Sequence, residues 1–377
     1  MRGDHPVRLW CLRAILVSSA LILSVLLGEL AVRMFAPQMT YRFPVGLFQN
    51  HPTRGFSFVP GFHGQMVTPE FRTRVDINSR GLRDSREIEP KPDDVTRILF
   101  VGDSFTSILS VEENQTWIHA IGKGLRNRHP DRKVEVLNAG VPGYNTFQEV
   151  DYLQQDGFAL SPDLVVLAFF VGNDIVDNRN KLPPITVTDG YLVGTKDRPG
   201  ALPYPVRSFL QKHSQLYHLA WPLLHALTRL GRASATPTRA PDYMGIYRTN
   251  PSDDVARGLI ATRKYLKTFR ALLYARKVPG LVAIIPDPLQ VGANHEGYHF
   301  EQWDKLDGEY QRELPSKRVQ AICQSLGIPV FDLFAPFTQN RHPERLYFPV
   351  DGHWTVAGNE LAGESLLPAI LKYDIFQ

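Results

Sequence analysis

The chain has 377 residues, 43% hydrophobic and 21% charged, enough for one large globular domain or two ordinary ones with real cores. A net charge of +4 is too small to argue for nucleic acid, and two cysteines, Cys11 and Cys323, make neither a disulfide framework nor a metal site. The basic excess is local: residues 201–277 hold 13 Lys/Arg against 3 Asp/Glu, read first as solvated helix faces and second as a contact for anionic lipid or an acidic glycan.

The amino terminus reads as a membrane signal. Arg2, Arg8 and Arg13 precede a run from Ala14 to Leu27 whose only polar members are Ser18, Ser19 and Ser24, and the run continues through Gly28-Glu29-Leu30-Ala31-Val32. About 18–20 apolar residues span a bilayer, so this segment suffices with snorkelling ends. The small residues that precede a signal-peptide cleavage site are poorly matched at Glu29/Ala31 and at Met34/Ala36, which favours an uncleaved transmembrane anchor over 14–35. Positive charge before the span puts residues 1–13 in the cytoplasm and the body of the chain outside it, periplasmic or extracellular.

Residues 36–96 are rich in Pro, Gly and aromatics with little periodicity, and are expected to form an irregular leader packed on a domain of residues 97–377. From Arg97 onward strands and helices alternate. Strand-like runs are Ile98–Val101, Val134–Leu137, Leu164–Phe170, Leu281–Ile285 and Ile328–Phe331. Helical stretches fall at Trp117–Arg128, Phe147–Gln155, Asp253–Lys277, Leu314–Leu326 and Thr355–Leu371. Repeated strand–helix units imply an α/β fold, a parallel sheet sandwiched by helices. Residues 181–250 interrupt the rhythm with many prolines and one apolar helical piece, Phe209–Leu230 carrying Pro222, read as a packed helix rather than a lipid-facing lid.

Four motifs stand at strand ends. The first strand ends in Gly102-Asp103-Ser104-Phe105, the second in Asn138-Ala139-Gly140-Val141-Pro142-Gly143, and the third in Gly172-Asn173-Asp174. Asp351-Gly352-His353-Trp354 stands just before the last helix. A doubly wound sheet collects such residues along one edge. Singly each has a plain reading as a turn or a helix cap. Together they supply what acyl transfer requires. Ser104 needs a base to act as nucleophile. His353 can take and return the proton, and Asp351 can hold the imidazole tautomer. The amides of Ser104 and Gly143 and the side-chain amide of Asn173 could serve as oxyanion donors. Asp351 and His353, two residues apart, point to the same side if the loop is strand-like.

A competing motif, His295-Glu296-Gly297-Tyr298-His299, matches a zinc-protease helix. Gly297 inside that helix costs about 1 kcal/mol relative to alanine. Pro286, Pro288 and Asn294 favour loop, and no third ligand follows at the usual spacing, so these residues read as a loop near the mouth of the site.

These blocks resemble the SGNH hydrolase family, also called GDSL esterases and lipases, over about residues 97–372. The family's Ser, Gly, Asn and His fall on Ser104, Gly143, Asn173 and His353, and the leader segment Asn78-Ser79-Arg80-Gly81-Leu82-Arg83 is similar to one found before the serine in some members. The resemblance implies a three-layer α/β/α sandwich with a flavodoxin-like sheet. It also implies hydrolysis of carboxylic esters, acetyl or another short acyl, through an acyl-enzyme, without metal or organic cofactor. The expected substrate is a small-molecule, glycan or lipid ester outside the cytoplasm. Most members space acid and base as Asp-x-x-His. The Asp-x-His-Trp form here resembles the branch holding polysaccharide O-acetyltransferases, so acyl transfer to a sugar hydroxyl is the first alternative and a non-catalytic carbohydrate-binding relative the second.

Overall fold

Five apolar runs become five parallel strands in the computed structural model, which describes residues 5–36, 38, 43–194, 206, 209–210, 213–220, 243–293 and 309–375. The described chain divides into two units, residues 1–42 with 196–238 and residues 43–195 with 239–377.

In the first unit, α1 (His5–Phe35) holds the apolar segment. Its stretch Trp10–Phe35, 26 residues of mean hydropathy 2.3, is long and apolar enough to cross a membrane, a test that a signal sequence also passes. Near its end the Glu29 carboxylate pairs with Arg33 at 2.8 Å. The same carboxylate accepts from the Ser214 hydroxyl and from the backbone N–H groups of Gln215 and Leu216. Of the helical piece expected at 209–230, residues 209–210 and 213–220 are among those described.

The second unit opens with two hairpins: β1 (Phe48–His51) with β2 (Gly55–Phe58), and β3 (His63–Val67) with β4 (Arg72–Asp76). The leader is therefore not irregular. Its strands are four or five residues long, too short to show a period in the sequence. Its aromatic residues Phe48, Phe56 and Phe58 form a small core with Leu109, Val141 and Tyr144.

The central sheet follows. It comprises β5 (Val95–Gly102), β6 (Lys133–Gly140), β7 (Leu164–Phe170), then, beyond the small hairpin β8 (Ile185–Thr188) and β9 (Tyr191–Gly194), β10 (Gly280–Ile285) and β11 (Val330–Asp332). The spatial order β11-β10-β7-β5-β6, all parallel, is the doubly wound order in which the second strand lies outside the first. The last strand begins two residues later than the apolar run, because Pro329 has no N–H to give to a ladder.

Alternation along β5 divides the core. Leu99 and Val101 face α4 (Thr146–Gln155), α6 (Asp253–Arg276) and α8 (Leu314–Ser325). Ile98 and Phe100 face α3 (Trp117–Arg128) and α10 (Val356–Ile370). The result is the expected three-layer sandwich. Local chemistry sets the helix ends. Thr116 caps α3 by accepting from His119 N–H, Ser252 caps α6 with Asp253 and Asp254 in its first turn, and Thr355 caps α10. Among the described residues of the second unit, the other α-helices are single turns: α2 (Ser104–Ser107), α5 (Asp174–Asp177), α7 (Pro288–Val291) and α9 (Phe334–Thr338).

Candidate active site

Ser104 is the first residue of α2, directly after β5. The turn delivering it is capped by the buried Asp103, whose Oδ1 accepts from Phe105 N–H at 2.8 Å. The neighbouring strand end must be bare: a Cβ on Gly140 would lie 2.3 Å from the Ser107 nitrogen. A β-carbon there would push α2 off the sheet and carry Ser104 with it.

His353 reaches Ser104 from the other end of the chain. Its Nε2 is 2.7 Å from Ser104 Oγ and its Nδ1 is 2.6 Å from Asp351 Oδ1. A carboxylate oxygen only accepts, so the pairing puts the ring proton on Nδ1 and leaves Nε2 to accept from the serine hydroxyl. The imidazole is mostly shielded, with Phe105 packed on it at 4.8 Å between ring centroids. Trp354, fully buried, anchors the segment against Phe105, Trp117 and Phe337.

The segment carrying the pair is not strand-like. Gly352 has φ +79°, Gly352 N–H donates to Phe348 O at 2.9 Å, and Phe348 N–H donates to His353 O at 2.8 Å. A tight turn, not an extended register, brings Asp351 back to the ring. Glycine at the middle position makes that turn accessible, since other residues resist the left-handed region.

The other two expected residues stand at adjacent strand ends. Gly102 of β5 pairs with Gly140 of β6, and Gly143 lies three residues on, exposed, with φ +80°. Val101 of β5 pairs with Leu167 of β7, whose continuation carries Asn173. Asn173 immediately precedes α5, its Oδ1 buried without a partner, and its side chain acts on the carboxyl of Asp103. The turn residues after β5, β6 and β7 thus share the carboxyl edge of the sheet.

Behind the serine the interior is acidic. Burial pushes the Asp103 carboxyl up to about 7. Burial first raises Glu149 and Asp174 well above the ordinary carboxylate range, with the charge of Asp103 second for Glu149 and that of Glu149 second for Asp174. Asp177 is raised by burial too. Among the described residues no group of three or more His, Cys, Asp or Glu is arranged to hold a metal ion. Residues 295–299 lie outside the described residues, and Cys323 is a buried free thiol.

The sequence pointed to the Asn78–Arg83 segment without a role for it. Arg83, buried, donates through Nη1 to the carbonyls of Ser107 and Ile108 and through Nη2 to Val111 O at 2.6 Å. It thereby holds the chain that leaves the serine. Glu70 was missed altogether, because an acidic residue after Thr68-Pro69 reads as an ordinary turn.

A family model described as GDSL-like Lipase/Acylhydrolase family matches residues 100–361. The chain is similar to the solved structure of a lipase/acylhydrolase from Enterococcus faecalis, with 15% identity, 73% of this chain and 95% of that one covered, and a TM-score of 0.39. It is similar also to an acetyl xylan esterase from Geobacillus stearothermophilus, with 15% identity, 73% and 94% covered, and a TM-score of 0.39. No curated protein matches the sequence.

Proposed function

The chain belongs to the GDSL-like lipase/acylhydrolase family, and we propose that within it the chain is a serine esterase using Ser104 as nucleophile. The observation that carries the reading is the hydrogen-bonded series Ser104 Oγ, His353 Nε2, His353 Nδ1 and Asp351 Oδ1, at 2.7 and 2.6 Å. His353 takes the hydroxyl proton as Ser104 Oγ bonds to the ester carbonyl carbon. Asp351 steadies the imidazolium. The amides of Ser104 and Gly143 and the Asn173 side chain donate to the oxyanion. Collapse expels the alcohol, which takes the proton from His353, and leaves an acyl group on Ser104. Water, deprotonated by the same imidazole, then releases the acid.

The substrate on this reading is a short-chain ester, acetyl being the simplest, of a carbohydrate or lipid outside the cytoplasm. The apolar stretch Trp10–Phe35, preceded by Arg2 and Arg8, supports a membrane anchor with the catalytic unit beyond it.

The test is hydrolysis of an ester panel from acetyl to long-chain p-nitrophenyl esters, with and without oligosaccharide acceptors. Short esters should turn over, and Ser104→Ala should remove the activity. Activity surviving in Ser104→Ala would overturn the nucleophile. Acetyl transfer to a sugar that outruns hydrolysis would make the chain an O-acyltransferase with the same residues.

A further inference from the structure

Both carboxylate oxygens of Glu70 are committed to one turn. Oε1 accepts from Val350 N–H at 2.9 Å and Oε2 accepts from Asp351 N–H at 2.6 Å. Glu70 sits at the tip of the β3–β4 hairpin, in the turn Thr68-Pro69-Glu70-Phe71. Thr68 N–H closes that turn on Phe71 O at 2.9 Å, and Thr68 Oγ1 accepts from Glu70 N–H at 3.2 Å and Phe71 N–H at 3.1 Å. The Phe71 ring lies 5.1 Å from that of Phe348, where the acid–base turn begins. Down the same hairpin, the Thr73 hydroxyl donates to Leu109 O at 2.6 Å and Arg74 N–H donates to Glu112 Oε1 at 3.1 Å. One hairpin therefore touches both the chain leaving Ser104 and the turn carrying Asp351 and His353.

We infer that Glu70 is a positioning residue: by fixing the amides of Val350 and Asp351 it sets the aim of the Asp351 carboxylate at His353 Nδ1. The inference rests on the reading of Ser104, His353 and Asp351 as the reacting series. Three observations favour positioning over mere cohesion. Val350 is 42% exposed, so water can satisfy its amide and the bond is not needed to bury the backbone. Asp351 Oδ1 meets His353 Nδ1 at 2.6 Å, a contact that a small rotation of the turn would lengthen. The two amides donate side by side, which demands two acceptors on one side chain. Only a carboxylate has them, since glutamine offers one oxygen and sets an NH₂ against the other amide.

The test uses the full chain in detergent, comparing wild type with Glu70→Gln and Glu70→Ala. Steady-state kinetics on p-nitrophenyl acetate, thermal unfolding, and the far-downfield proton resonance of His353 Nδ1–H are measured together. That resonance is assigned by its loss in Asp351→Asn. A misplacement of about 1 Å costs about 100-fold in rate, so kcat should fall about 10- to 100-fold while KM stays within about twofold. The downfield resonance should broaden or shift, and the unfolding temperature should not move. Wild-type kcat together with a wild-type resonance in both variants would overturn the inference. So would a loss of kcat explained by a matching loss of folded protein. If wild-type turnover does not depend on Ser104, the esterase reading falls, and the resonance alone still decides whether Glu70 aims Asp351.

Discussion

Asp103 beside Ser104 strengthens the hold of Glu149 on α4 on its proton: both carboxyls are buried, and both oxygens of Glu149 lack a hydrogen-bond partner. A carboxyl raised in the folded state stabilises the fold below its unfolded value and loses that contribution as pH rises through the folded value. For Asp103 the window runs from 3.8, its ordinary value, up to about 7. The protein should therefore lose stability between mildly acid and neutral pH. Glu149→Gln keeps the volume and removes one charge. It should raise the unfolding temperature above neutral pH by roughly 2–4 °C for each kcal/mol recovered, with the gap to wild type closing as pH falls. Thermal unfolding followed by circular dichroism across that range checks it, and a gap independent of pH would contradict it.

Asp351→Asn leaves the turn's backbone untouched while setting an amide against the ring. It should lower kcat about 10³- to 10⁴-fold through the wrong imidazole tautomer, with little change in KM. Single-turnover kinetics on p-nitrophenyl acetate would locate the loss in acylation.

Gly352→Ala tests the turn from its other side. Alanine in the left-handed region costs roughly 1–2 kcal/mol, small against total stability, yet the strain falls between Asp351 and His353. Activity should drop by far more than the folded fraction does. Equal losses in activity and in folded fraction would show that the turn tolerates the change.

Arg83→Ala removes the donors to Ser107 O, Ile108 O and Val111 O inside the protein. Buried acceptors left unpaired cost about 1–3 kcal/mol each, so this variant should be the least stable of the set in urea. Arg83→Lys should recover part of the loss, since an ammonium reaches fewer carbonyls than a guanidinium fork.

Much of the fold is legible in the sequence. The apolar runs at 98–101, 134–137, 164–170 and 281–285 lie inside observed strands, because buried parallel strands carry a continuous signal. Trp117–Arg128 matches the observed helix to the residue, its apolar spacing and Thr116 cap both being local. The leader hairpins were not legible. Four-residue strands carry no period, and their stability comes from Leu109, Val141 and Tyr144 of distant loops. The closeness of Asp351 and His353 was expected from an extended segment and arises instead from a glycine turn. Glu70 was hidden because its partners are backbone amides, which carry no residue code, 280 and 281 positions away.

That separation has a consequence for how the molecule comes into being. A ribosome makes the hairpin tip 280 residues, and the serine 249 residues, before the turn that answers them. Until residues 350–353 emerge, the seryl hydroxyl lacks its imidazole partner and Glu70 the two amides it holds. A nascent or carboxyl-truncated chain is thus chemically silent on the proposed reading, even with its first three strands in place. On that reading, esterase activity reports that residues 350–353 have been made and have met Ser104.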